Sequence, residues 1–202
     1  TMEPALHAFV AGRKGLRVLD IGCGFSPYEK IFAGHASSYL KLDLILRKEI
    51  SVLGHGECLP FKEHSFDAVL CTQVLEHAVQ PFEIVEEIRR VLKPRGKVFL
   101  TTHGIWKEHN NPHDDWRFTP AGFRELFKAY NAVNVFPQGG SLTGLMQLFN
   151  VWVKSWNYPG WMPRFLWYWL RGPLYFLPNV IALLDDGRDT HLVQNYLVIG
   201  EK

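Results

Sequence analysis

No pair of cysteines in this chain stands at CxxC spacing, and the three present, Cys23, Cys58 and Cys71, are an odd number. That excludes a disulfide framework and fits a reducing compartment. No eighteen-residue run is apolar and free of charge, so no helical membrane span is expected. No basic stretch followed by an apolar one opens the chain, which sets the expectation of a cytoplasmic protein. Excess charge is also lacking. A net charge of +2, with Lys and Arg dispersed, leaves no footprint for nucleic acid. Apolar residues make up 47% and charged residues 21%, the balance of a globular chain, and 202 residues suffice for one domain with a substantial core.

What is present alternates. "LRVLDIG" (16–22), "SYLKLDL" (38–44), "FDAVLCTQ" (66–73) and "KVFLTT" (97–102) read as short buried strands. "YNAVNVFP" and "HLVQNYLVIG" read as two closing strands. "PFEIVEEIRRVL" (81–92) reads as a helix with Phe82, Val85, Ile88 and Leu92 on its apolar face, ended by the turn signal Lys93-Pro94-Arg95-Gly96. Thr119-Pro120 marks a second helix start, with Thr119 as N-cap and Phe123, Leu126 and Phe127 inward. Strands alternating with helices predict an α/β fold with a mostly parallel sheet covered on both faces.

Ligands of such sheets bind at the carboxyl ends of the strands. There "VLDIGCG" places Asp20, Gly22 and Gly24, and glycines let a backbone come close to a ligand. A dinucleotide fingerprint would continue to a third glycine, but position 27 is Pro, which disfavours an oxidoreductase. Asp43 ends the next strand about 20 residues on, where an acid accepts ribose hydroxyls.

Taken together, "VLDIGCG", Asp43, "GECLPFKEHSFDAVLCTQVLEH" and "VLKPRGKVFL" resemble the class I S-adenosylmethionine-dependent methyltransferases, in particular their broad small-molecule group. The resemblance covers roughly residues 15–130. It implies a Rossmann-like seven-stranded sheet with the last strand antiparallel. It also implies a cofactor site made of Asp20, Gly22, Cys23 and Gly24, of Asp43 and Leu44, of the His55–Gly56–Glu57 turn, and of Thr72 and Gln73. One position departs from the pattern: His55 stands where the family usually has Asp. A neutral imidazole still accepts one hydrogen bond from an adenine amino group. The other reading turns His55 to solvent.

Methyl transfer to a hydroxyl or an acidic carbon needs a base near the strand ends. "TTHGIWKEHNNPHDDWRF" (101–118) follows the fifth strand. His103 lies nearest the strand end, and His113 with Asp114 reads as a base and its orienter. Alternatively His113 and Asp114 pin the loop, with Arg117 bridging to the sheet. A metal held by His109, His113 and Asp114 is disfavoured, because their spacing matches no ligand template.

Residues 142–184 hold five of the seven tryptophans, with Lys154, Arg164 and Arg171 and no acid. This helical insertion before the last strand reads in three ways: a cap and acceptor pocket, a membrane-surface contact, or an oligomer interface. The expected activity is methyl transfer from S-adenosylmethionine to a small-molecule or lipid-like acceptor through an O, N or C nucleophile. The alternative is a non-catalytic cofactor-binding partner of another enzyme.

Overall fold

β1 (Leu16–Ile21) is buried on both faces from Val18 onward, as a central strand of a parallel sheet must be. The computed structural model describes residues 2–109 and 113–202. β2 (Ala36–Asp43), β3 (Val52–Leu53), β4 (Phe66–Thr72), β5 (Leu92–His103), β6 (Ala132–Gln138) and β7 (Asn195–Glu201) complete a seven-stranded sheet in the order β3-β2-β1-β4-β5-β7-β6. The pairs from β3 across to β5 are parallel. β7 runs the other way: Arg95 N donates to Lys202 O at 2.9 Å and Gly104 N to Gln194 O at 3.0 Å, so rising numbers on β5 meet falling numbers on β7. The sheet expected from the resemblance is therefore present. β2 and β4 leave β1 on opposite sides, so the crevice at the carboxyl end of β1 is the topological switch point where ligands of open α/β sheets lie.

The helices correct the sequence reading in detail. α1 (Met2–Val10), which carried no sequence expectation, buries Leu6, Phe9 and Val10 in a cluster with Val18, Leu70 and Phe99. The Phe9 and Phe99 rings meet edge-on at 5.5 Å. α2 (Pro81–Val91) buries Ile84, Val85, Ile88 and Val91, whereas Phe82, expected on that face, is 48% exposed and Leu92 already belongs to β5. Steps of three residues fall about 60° short of a full turn. Phe82–Val85–Ile88 therefore drifts across the helix, and the buried stripe follows mixed steps of three and four. The turn expected at 93–96 is a bulge inside β5. Leu92 faces Phe66 and Lys97 faces Ala68, so β5 spends more residues than its neighbour there, with Arg95 left-handed at φ +62°.

α3 (Pro120–Leu126) starts as expected: the Thr119 hydroxyl accepts from Gly122 N at 3.1 Å, and Phe123, Leu126 and Phe127 are buried. Thr119→Ala is expected to cost about 1 kcal/mol. The measurement is a shift of the urea midpoint at unchanged slope.

The chain divides into two compact units. The first runs to His103 and adds His109–Phe136 and Tyr196–Lys202; the second is Gly104–Glu108 with Pro137–Asn195. The second holds α4 (Ser141–Ser155) and α5 (Arg164–Ala182), joined by Asn150 Nδ2 donating to Asn179 Oδ1 at 3.1 Å and Arg171 Nη2 donating to Lys154 O at 2.7 Å. α5 contains Pro173 and Pro178 and leaves Phe165, Tyr168, Trp169, Phe176 and Leu177 exposed. Among the described residues no helix is long and apolar enough to cross a membrane.

Candidate active site

The turn after β1 is built around two buried carboxylates. Asp20 is 1% exposed. Its Oδ2 accepts from the Tyr39 hydroxyl of β2 at 2.7 Å and from Ser26 Oγ at 3.3 Å, while Oδ1 is buried without a partner in the protein. Burial pushes this carboxyl up to about 6, against the pull of the two hydroxyls. Gly22 and Gly24 are left-handed, at φ +62° and +54°. A Cβ on Gly22 would also stand 2.4 Å from Val74 Cγ2, so this position excludes a side chain twice over. At Gly24 a Cβ would meet nothing within 4 Å, which leaves open space against the backbone. Cys23 between them is buried, its thiol pushed up to about 12 mainly by desolvation.

Asp43, the last residue of β2, closes the turn. Its Oδ2 accepts from Gly24 N and its Oδ1 from Ile45 N, each at 2.9 Å, and Arg47 Nη1 lies 3.6 Å away. Each carboxylate oxygen keeps a further lone pair for a ligand hydroxyl. Leu44 beside it is exposed. Gly54 N donates to Asp43 O at 3.1 Å, which brings the 55–57 turn to the same edge. In that turn His55 is exposed, Gly56 is buried and Glu57 is partly buried. At the end of β4, Gln73 is left-handed at φ +56° and donates to Thr101 through its backbone, at 2.8 Å, and through Nε2, at 3.2 Å. A non-glycine residue in that region costs energy, and such strain collects at ligand-binding edges. Thr72 is partly buried beside it.

The histidine loop is arranged differently from the sequence expectation. Asp114 does not orient His113. Arg117 forks onto both of its carboxylate oxygens at 2.6 and 2.7 Å, and His109 approaches it through its backbone N at 2.8 Å and its Nδ1 at 3.0 Å. Arg117 is the main reason the Asp114 carboxyl lies well below the usual carboxylate range. The guanidinium three residues on outcompetes an imidazole one residue back. His113 is exposed, and its carbonyl accepts from His77 Nδ1. Asn110–Pro112, also in the quoted stretch, lie outside the described residues. His103 ends β5, with Nε2 3.7 Å from Glu76 Oε1. Glu76 was missed as a site residue, and His109 was weighed only as a ligand beside His113 and Asp114; the signal for Glu76 was an acid in "LEH" in the turn that follows a strand.

Residues 19–100 match the family described as "Methyltransferase domain". An uncharacterised protein of Methanocaldococcus jannaschii is 39% identical over 93 residues, which are 44% of this chain and 41% of that protein. A ubiquinone biosynthesis O-methyltransferase of Xanthomonas oryzae pv. oryzae is 31% identical over 119 residues, 50% of each chain. The chain spans about half the length, or less, of the curated relatives it matches. Among solved structures, an S-adenosylmethionine-dependent methyltransferase of Mesorhizobium loti superposes with a TM-score of 0.61 at 16% identity, covering 98% of this chain and 96% of that one. Another from Archaeoglobus fulgidus gives 0.60 at 15%, covering 100% and 93%. The cofactor of this family fits the residues present, since Asp20 Oδ1 is a buried acceptor in need of a donor and Gly24 leaves the turn open for a ligand. Residues 19–100 thus match a methyltransferase domain, and the glycine turn, the two acids and the sheet order stand in the fold shared with S-adenosylmethionine-dependent methyltransferases.

Proposed function

We propose that the protein transfers a methyl group from S-adenosylmethionine to a small amphiphilic acceptor, with oxygen as the nucleophile. The observation that carries the cofactor half is the pairing of Asp43 with Gly24 N beneath a doubly left-handed glycine turn. When bound, the cofactor supplies an electrophilic methyl on a sulfonium. Asp43 accepts the ribose hydroxyls. Asp20 receives the amino group of the methionine portion, directly or through water. The 55–57 turn faces the adenine. His103, partly buried at the end of β5, takes the proton of the acceptor. The acceptor half is supported by the relatives named for ubiquinone biosynthesis O-methylation and by the aromatic, acid-free stretch 142–184. The test is calorimetry with S-adenosylhomocysteine, followed by methyl turnover on a panel of phenols carrying alkyl tails. Cofactor binding without turnover on any acceptor would favour the non-catalytic partner instead.

The same reading places α5 at a lipid surface from which an amphiphilic acceptor is drawn. Phe165 and Trp169 are each 75% exposed, and Arg164, Arg171 and Lys154 have no local acid. The protein is expected to co-sediment with phosphatidylglycerol vesicles at low salt and to be released as salt screens the basic residues. Phe165→Ser with Trp169→Ser should reduce sedimentation and leave cofactor affinity unchanged. These two are preferred to Trp167, which is tied into the unit by Trp156 and Arg171. No sedimentation at low salt removes the lipid surface from the proposal.

A further inference from the structure

The methyl-transfer reading leaves Glu76 without a role, yet it is 0% exposed in the single turn Leu75–His77 that follows β4. Thr102 Oγ1 donates to Glu76 Oε2 at 2.7 Å. Glu76 Oε1 is buried without a hydrogen bond. Glu76, His77 and His109 each offer one ligand atom, and these three atoms lie within 4.8 Å of one another. The rings of His77 and His109 meet edge-on at 5.0 Å, and those of His103 and His109 at 5.4 Å.

The surroundings resemble an outer shell more than a chance cluster. His77 Nδ1 donates to the carbonyl of His113, which leaves the lone pair on Nε2. His109 Nδ1 lies 3.0 Å from Asp114 Oδ2, a close contact rather than an aligned hydrogen bond, and Arg117 fixes that carboxylate from its other side. Metal-ligating histidines are commonly held this way, with the second ring nitrogen on a carbonyl or a carboxylate. An uncompensated carboxylate oxygen in a buried site calls for a cation. Two imidazoles and one carboxylate suit zinc and its first-row neighbours rather than magnesium or calcium.

The geometry points to a divalent transition-metal site formed by Glu76, His77 and His109, with coordination positions left for water or an acceptor oxygen. Ligand atoms about 2.1 Å from one tetrahedral ion stand about 3.4 Å apart. Binding therefore draws the three side chains together by at most about 1.4 Å, within reach of rotamer adjustment in the loop that carries His109. His103, whose Nε2 is 3.7 Å from the same Glu76 oxygen, stands beside the site. The use of the open positions by an acceptor rests on the methyltransferase reading; the metal site itself does not.

Cobalt(II) tests it, because its visible bands report coordination without turnover. The 202-residue protein, stripped with chelator, is titrated with Co²⁺ and then with competing Zn²⁺. One equivalent should bind with the intense bands of a four- or five-coordinate site, and Zn²⁺ should displace it. His109→Ala and Glu76→Gln should each lower affinity by about 10- to 100-fold or more, while His191→Ala, in the second unit, should not. S-adenosylhomocysteine binding is measured on the same samples. Intact cofactor binding with no stoichiometric Co²⁺ site overturns the metal site alone. Tight Co²⁺ binding that survives His109→Ala overturns this ligand set. His109→Ala keeps the test open if Glu76→Gln does not fold.

Discussion

Asp43→Ala is expected to lower the affinity for S-adenosylhomocysteine by about 1.5–3 kcal/mol, roughly 10- to 150-fold, the range for losing hydrogen bonds to a charged group. The carboxylate has two duties here. In the proposed complex its free lone pairs would accept the ribose hydroxyls, while its occupied ones hold Gly24 N and Ile45 N. Removal would therefore take away the proposed ribose acceptor and also free the turn after β1. Asp43→Asn separates the two, because one amide oxygen can still accept from a backbone N–H. The Asn variant should fall between wild type and Ala in affinity and lie close to wild type in thermal stability. Calorimetry with a circular-dichroism check of folding measures both. Unchanged affinity in a folded Ala variant would take Asp43 out of the site.

That second duty could not be read from the sequence, although the residue could. Asp20, Gly22, Gly24 and Asp43 were legible because a strand, a left-handed turn and an acid at the next strand end are constraints of local geometry. The contact of Gly22 with Val74 was not legible, because it joins turns after two different strands. The same contrast holds for the histidines. The loop after β5 was found from its place in the fold, but its pairing was read as neighbour with neighbour. In the structure Arg117 claims Asp114, and Glu76, 33 residues before His109, comes to the same place only because β4 and β5 are adjacent and parallel. Phe82 illustrates a local failure. An apolar residue at a three-residue spacing imitates a buried face, and only the packing of α2 shows that the stripe passes through Ile84. α1 and the two-residue β3 left little periodic pattern to read.

A pH dependence of stability follows from Asp20. Its carboxyl in the folded chain titrates at about 6, above the ordinary 3.8. The folded chain therefore keeps this proton over a range in which the unfolded chain has released it. The contribution to stability is largest below about pH 4 and is lost as pH rises through about 6. A displacement of about two units corresponds to about 3 kcal/mol, so this one group weakens the cofactor-free protein by about that amount at pH 7. Asp20→Asn should remove the slope. Urea denaturation between pH 4 and 7.5 should show wild type losing stability relative to the variant across that window, with the variant more stable above it. The same substitution should weaken cofactor binding, because the unpartnered Oδ1 is the acceptor offered to a cationic amino group. Wild type binding S-adenosylhomocysteine near pH 6 should also release a proton, measured as a dependence of calorimetric heat on the ionisation enthalpy of the buffer. Parallel stability curves for wild type and variant would show that Asp20 is already ionised in the folded chain. In that case its unpaired oxygen is satisfied by solvent, and cofactor binding near pH 6 releases no proton from this group.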